Sequence, residues 1–249
     1  MRTALALMLW IAAPAVAQDI HVLGEVHDNP LHHIEQANQI AAIAPSAIVF
    51  EMLTPDQAAL VNANDRNDPN LGTIIGWEEA GWPDFAIYAP IFAASDAPVY
   101  GAALPRDTVI AAITSSAAEV FGEGADRYGL NTISDDLRTA MEAEQAEAHC
   151  DALPAEMLPG MVEAQRLRDA HFARATLTAY DETGGPVVLI TGNGHARTDR
   201  AVPSYITRVR PDLTVHALGI LELPEDDAPF DTVIVTAPAE RDDPCAAFR

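Results

Sequence analysis

The sequence is poor in positive charge: 14 Lys and Arg stand against 37 Asp and Glu in 249 residues, a formal net charge of −23 with His neutral. With a sequence pI near 4.4, such a chain repels polyanions at long range, so no nucleic-acid partner is expected. The chain also has little uninterrupted hydrophobicity. Its one long apolar run, Ala4 to Ala13, falls well short of the roughly 20 residues that span a hydrocarbon layer. Cysteine is scarce, with only Cys150 and Cys245, which excludes a disulfide-dense scaffold. There is no internal repeat and no Pro/Ser-rich linker. With 49% apolar and 20% charged residues the chain is not a disordered polyanion, and its length suits one α/β domain with a large core.

Arg2, the Ala4–Ala13 run and the A-x-A site at Ala15-Val16-Ala17 read together as a secretory signal peptide spanning residues 1–17. The mature protein is then expected to begin at Gln18 and to be periplasmic or secreted. No cysteine follows the cleavage point, so a lipobox is absent. In an oxidising compartment the leading reading of Cys150 and Cys245 is a disulfide tying the acidic tail, Glu240 to Arg249, to the middle of the chain. Free thiols and metal ligation are the alternatives.

Short apolar runs alternate with longer segments of helical period, the pattern of parallel strands joined by helical crossovers. Strands are predicted at Ile20–Leu23, Ala47–Phe50, Pro98–Ala102, Val187–Thr191, Thr214–Leu221 and Thr232–Thr236. Helices are predicted after Pro30 and Pro55, over Val109–Val120 and Ser134–Ala148, and from about Ala155 to Tyr180. The fold class is therefore α/β: a mostly parallel sheet flanked by helices, in a single domain over 18–249, with a helical insertion or cap at about 104–182.

Three predicted strands run into ionisable clusters. The first leads to Gly24-Glu25-Val26-His27-Asp28, the second to Glu51, and the fourth to Gly192-Asn193-Gly194-His195-Ala196-Arg197. In a parallel sheet the carboxyl ends of the strands share one edge, where ligands of open α/β sheets bind. Glu25, His27, Glu51 and His195 are thus expected to converge. Each alone has a plain structural alternative, an ion pair or a turn-holding imidazole. As a set they suit a divalent zinc, manganese or iron ion, with a spare carboxylate acting as general base on bound water. Arg168, beside Asp169 on the long predicted helix, is read either as a clamp for a ligand carboxylate or as a structural partner of Glu25 or Glu51.

The segments Gly24-Glu25-Val26-His27-Asp28-Asn29-Pro30 with His32-His33, Glu51-Met52, Gly76-Trp77 through Trp82-Pro83, Tyr88-Ala89-Pro90, Arg168-Asp169-Ala170, Gly192-Asn193-Gly194-His195-Ala196-Arg197 and Val202-Pro203 together resemble the ChaN-like haem-binding family. That family lies within the Tiki and erythromycin-esterase superfamily, and the resemblance runs from about Ile20 to Leu221. It implies an exported, iron-regulated haem binder, with a homodimer and a membrane haem transporter as its implied partners. It also implies iron ligation through Tyr. Tyr88, set in the aromatic segment Trp82 to Tyr88, is the first candidate for haem ligand, and His171 on the long helix is the second. Two departures stand out: the lipobox is missing, and His171-Phe172 follow Arg168-Asp169-Ala170 where the family usually carries Met. In the wider superfamily the residues matching Glu25, His27, Glu51 and His195 belong to a hydrolytic site.

Three readings follow: a haem binder of the uptake route, a metal-dependent hydrolase acting on a peptide or ester, and an acidic divalent-cation binder. The resemblance favours the first. Whether the protein turns over a substrate is left open.

Overall fold

Val187 and Leu189 face one side of the sheet while Val188 and Ile190 face the other, and all four are fully buried. A strand covered on both faces reads as a continuous apolar run, which is why VVLI shows no polar alternation. The computed structural model describes residues 18–243 and 245–246; the expected signal peptide lies outside them.

In chain order the elements are β1 (Ile20–Glu25), α1 (Pro30–Ile43), β2 (Ala47–Phe50), α2 (Pro55–Ala63), α3 (Leu71–Ile74), α4 (Phe85–Ala93), β3 (Val99–Gly101), α5 (Arg106–Thr114), α6 (Ala117–Phe121) and α7 (Asp135–Ala148). They continue with α8 (Leu158–Thr183), β4 (Val187–Gly192), α9 (Asn193–Ala196), α10 (Val202–Val209), β5 (Val215–Leu221) and β6 (Thr232–Val235). All six strands pair in parallel, in the order β3-β2-β4-β1-β5-β6. The expected α/β class with a mostly parallel sheet is thus the observed one.

One face packs against α8 and α10, where Ile20, Val49 and Leu189 meet Leu167, Phe172, Val202 and Ile206. The other packs against α1, α2 and α4, with Phe50 stacked on Phe92 at 4.7 Å. Between β3 and β4 the chain is helical. Its longest helix, α8, is a crossover lying on the sheet, while α7 packs on α8 and lines the cleft over the strand ends.

The sequence places strand centres well and misreads some helix boundaries. The helix expected over Val109–Val120 is two, because Ser116 accepts a hydrogen bond from Glu119 N–H and starts α6 afresh. The aromatic segment holds the unforeseen α4, capped by Asp84, which accepts from Ala86 N–H.

Cys150 and Cys245 are joined in a disulfide across a sequence separation of 95. The tail is held further by Arg241, which pairs with Asp28 and Glu222 at 2.6 to 2.7 Å. Asn29 caps α1 through Leu31 N–H and donates its amide to the Ala237 carbonyl. The C-terminal segment is therefore fastened both to the turn that follows α7 and to the loop that follows His27.

Candidate functional site

Parallel register assembles the site. Glu25 lies opposite Gly192, and Phe50 opposite Ile190, so Glu51 comes out beside Thr191. Two carboxylates and the first residues of the 192–197 segment therefore share one sheet edge. Glu25, His27, Glu51, Arg168 and His195 all line a single cleft of about 570 Å³, together with Trp82, Asp169 and residues of α7, including Met141 and Glu144.

Glu51 is buried and fully engaged. Its Oε1 takes a 2.6 Å bond from Arg168 Nη2; its Oε2 accepts from the Thr191 hydroxyl at 2.6 Å and from Gly192 N–H at 2.8 Å. Burial alone raises a carboxyl pKa, but the charges of His195, Arg168 and His27 outweigh it here, and Glu51 stays ionised far below the usual carboxylate range. Of the two readings of Arg168, the structure shows the pairing with Glu51, made through one guanidinium nitrogen.

Two imidazoles flank this carboxylate, each held at Nδ1 by another acid. His27 Nδ1 lies 2.7 Å from Glu25 Oε1, and His195 Nδ1 lies 2.7 Å from Asp169 Oδ1. Their Nε2 atoms stand 4.0 Å and 3.5 Å from Glu51 oxygens. Burial disfavours charge on His27, but Glu25 and Glu51 prevail and its pKa is raised. At Asp169 burial prevails instead and raises the carboxyl pKa against the pull of His195.

Tyr88 sits beneath the cleft and not in its wall. It is fully buried, its hydroxyl lying 3.0 Å from Glu25 Oε1 and 3.1 Å from the His27 carbonyl. Burial and the neighbouring Glu25 charge push its phenol well above the ordinary range. His171 lies elsewhere, in a groove between α2, β3 and α8 with Tyr100 and Arg174. Arg174 donates to its Nδ1 at 3.0 Å, and burial followed by the Arg174 charge lowers its pKa to about 4.

The expected divalent centre at Glu25, His27, Glu51 and His195 is not formed. Among the described residues no group of three or more His, Cys, Asp or Glu is arranged to hold an ion. The physical reason is competition: Glu51 is saturated by a guanidinium, a hydroxyl and a backbone N–H, while Glu25 turns Oε1 to His27 and Tyr88 and Oε2 to the buried His33, whose Nδ1 lies 2.8 Å away.

Sequence reasoning left Asp169, Gln165 and His33 without roles. Gln165, whose amide nitrogen lies 3.1 Å from His195 Nδ1, and Asp169 are four residues apart on α8 and share one helical face with Arg168. That spacing was the available signal. His33, buried on α1, donates from Nε2 to the His27 carbonyl at 3.0 Å.

A family model described as haem-binding uptake, Tiki superfamily, ChaN matches residues 11–206 of this chain. The chain belongs to that family. Among solved structures it resembles "Cofacial heme binding to ChaN of Campylobacter jejuni", with a TM-score of 0.64, 16% identity, and 87% of each chain covered. That likeness shows a shared fold. The type III effector HopBA1 aligns with a TM-score of 0.49 and 10% identity over 89% of this chain and 88% of its own. No curated protein matches the chain.

The fit of this ChaN-family cleft to haem has a local test. A Cβ at Gly192 would stand 2.8 Å from His27 Nε2, so glycine is what lets the end of β4 lie against that ring. Trp82 supplies an aromatic wall 5.0 Å from the His27 ring. Arg168 keeps guanidinium N–H groups beyond the one bound to Glu51, which suits a propionate carboxylate. An imidazole, an aromatic wall, a thioether at Met141 and a guanidinium in one cleft form a donor set that fits haem.

Proposed function

We propose that this protein binds haem in the cleft at the strand ends and handles it outside the cytoplasm, in haem or iron uptake. The observation that carries the reading is the cleft of a ChaN-family chain, in which His27, Trp82, Arg168 and Gly192 line one space. When bound, haem supplies iron as the chemical centre; the chain supplies position and shelter. Trp82, held by a 3.1 Å bond from its Nε1 to the Met52 carbonyl, is fixed as a wall. Arg168, anchored to Glu51, orients a ligand carboxylate at the cleft mouth. α7 covers the strand ends with Met141 and Ala148 and so limits access of water.

The hydrolase reading loses its main support, because the carboxylate that was to hold an ion or activate water is bound by Arg168, Thr191 and Gly192. Export through the 1–17 leader, a homodimer and delivery to a membrane transporter belong to the proposal as its cellular side. The test is a visible-absorption titration of the purified protein with ferric haem. A saturable Soret shift, weakened in Arg168→Ala, is expected. Folded protein with no saturable shift overturns the proposal.

A further inference from the structure

We infer that the cavity between α10 and the 128–133 loop is a second binding site, which takes a small organic acid with an apolar body and holds its carboxylate at Arg208. The cavity measures about 550 Å³, within the range of small-molecule sites. It shares only Arg200 with the cleft at the strand ends, so the inference is independent of the haem reading.

The side-chain positive charge of this chain is all arginine, since the sequence holds no lysine, and three guanidinium groups border this cavity. Two of them are engaged. Arg166, buried on α8, pairs with Glu163 at 2.9 Å and donates from Nη2 to the Leu130 and Thr132 carbonyls, each at 2.9 Å, which pins the loop forming one wall. Arg200 pairs with Glu144 and Asp199. Asp199, whose carboxylate borders the cavity, is clamped by Arg197 at 2.7 and 3.0 Å as well as by Arg200 at 3.2 Å, so its charge is balanced. Arg208 differs: among the described residues it makes no hydrogen bond and no ion pair.

The place of Arg208 is nonetheless fixed. Gly129 has a φ of +73°, and a Cβ there would stand 2.9 to 3.2 Å from Nε, Cζ and Cδ of Arg208, so the side chain lies along bare backbone that glycine provides. Ser204, Thr207 and Arg208 share one face of α10 by their spacing of three and four, and all three border the cavity. Tyr205 lines it as well and is only 8% exposed. Burial first and the Asp169 charge next raise its pKa against the pull of Arg166, so the phenol keeps its proton. That O–H meets no acceptor among the described residues. A guanidinium fork and a phenol O–H are both donors, and Tyr128, Ile133 and Leu137 add apolar wall. Together they match a carboxylate carried on an apolar body. One uncompensated positive charge balances one carboxylate and falls short of a phosphate dianion.

Isothermal titration calorimetry of the purified protein in low-salt buffer tests the site, with sodium phenylacetate and, separately, sodium phosphate as probes. Wild type is expected to bind phenylacetate saturably and more tightly than phosphate. Arg208→Ala should weaken phenylacetate binding by about 10-fold or more, the worth of a charge-assisted hydrogen bond, and Tyr205→Phe, which removes only the hydroxyl, by about 5-fold. Arg106→Ala, at another exposed arginine with no ion pair among the described residues, should change nothing. Folded wild type with no saturable binding up to about 10 mM overturns the site. Equal losses in Arg208→Ala and Arg106→Ala overturn it too, because diffuse charge then accounts for the binding. Tighter binding of phosphate than of phenylacetate overturns the carboxylate class. Should Tyr205→Phe fail to fold, Arg208→Ala, a change at an exposed position, decides alone.

Discussion

His195 stands between two carboxylates, with Nδ1 2.7 Å from Asp169 and Nε2 3.5 Å from Glu51. The two acids come from opposite sides, Asp169 from α8 and Glu51 from the end of β2, so the imidazole couples the helical layer to the sheet edge. Asp169→Ala removes a buried partner and is expected to destabilise the fold by about 3 kcal/mol. Urea unfolding measures it, and Asp169→Asn, which keeps the shape and an acceptor oxygen, should lose less. Equal losses in the two variants would contradict the pairing as the cause.

Gly192→Ala puts a methyl group 2.8 Å from His27 Nε2. Either the ring or the strand end must shift, at a cost of about 1–3 kcal/mol. Haem affinity should fall together with stability, whereas Gly194→Ala, where a Cβ meets nothing within 4 Å, should leave both nearly unchanged. Comparable effects of the two variants would refute the special status of position 192.

The disulfide closes a long segment, since its cysteines are 95 residues apart, and constrains the unfolded chain accordingly. Replacing both cysteines by serine should lower stability by about 2–5 kcal/mol, read as a drop in urea midpoint. Dithiothreitol should lower the wild-type midpoint similarly and leave that of the double variant where it is.

Glu222 links the tail to the body. Hydrogen bonds from Arg241, against a small burial penalty, bring its pKa down to about 2 from an ordinary value of 4.5. A depressed carboxylate stabilises the fold fully above the unfolded value, and that contribution is lost as pH falls from about 4.5 through 2. Glu222→Gln should therefore be less stable than wild type at pH 6, with the gap closing toward pH 2. A gap independent of pH would show that the charge is not responsible.

Much of this was legible in the sequence because parallel strands are buried on both faces and announce themselves as apolar runs. Their carboxyl ends share an edge, so Glu25, Glu51 and the Gly192–Arg197 segment could be placed together from order alone. The two cysteines, in a chain expected from its first 17 residues to be exported, pointed to their disulfide for the same kind of reason, a chemical preference that needs no coordinates. What each side chain does there was settled by tertiary structure. Tyr88 was the first haem-ligand candidate, set in an aromatic segment, yet α4 turns its hydroxyl inward to Glu25. His171 follows Arg168 by three residues, but faces the groove against α2 and β3, away from the cleft. A carboxylate near two histidines resembles a metal site until the guanidinium of Arg168, brought from 117 residues away, occupies it. Strand identity depends on the period and burial of neighbouring residues, which sequence carries. The choice of partner for a buried charge depends on which donor arrives within 3 Å, and only the packed helices decide that.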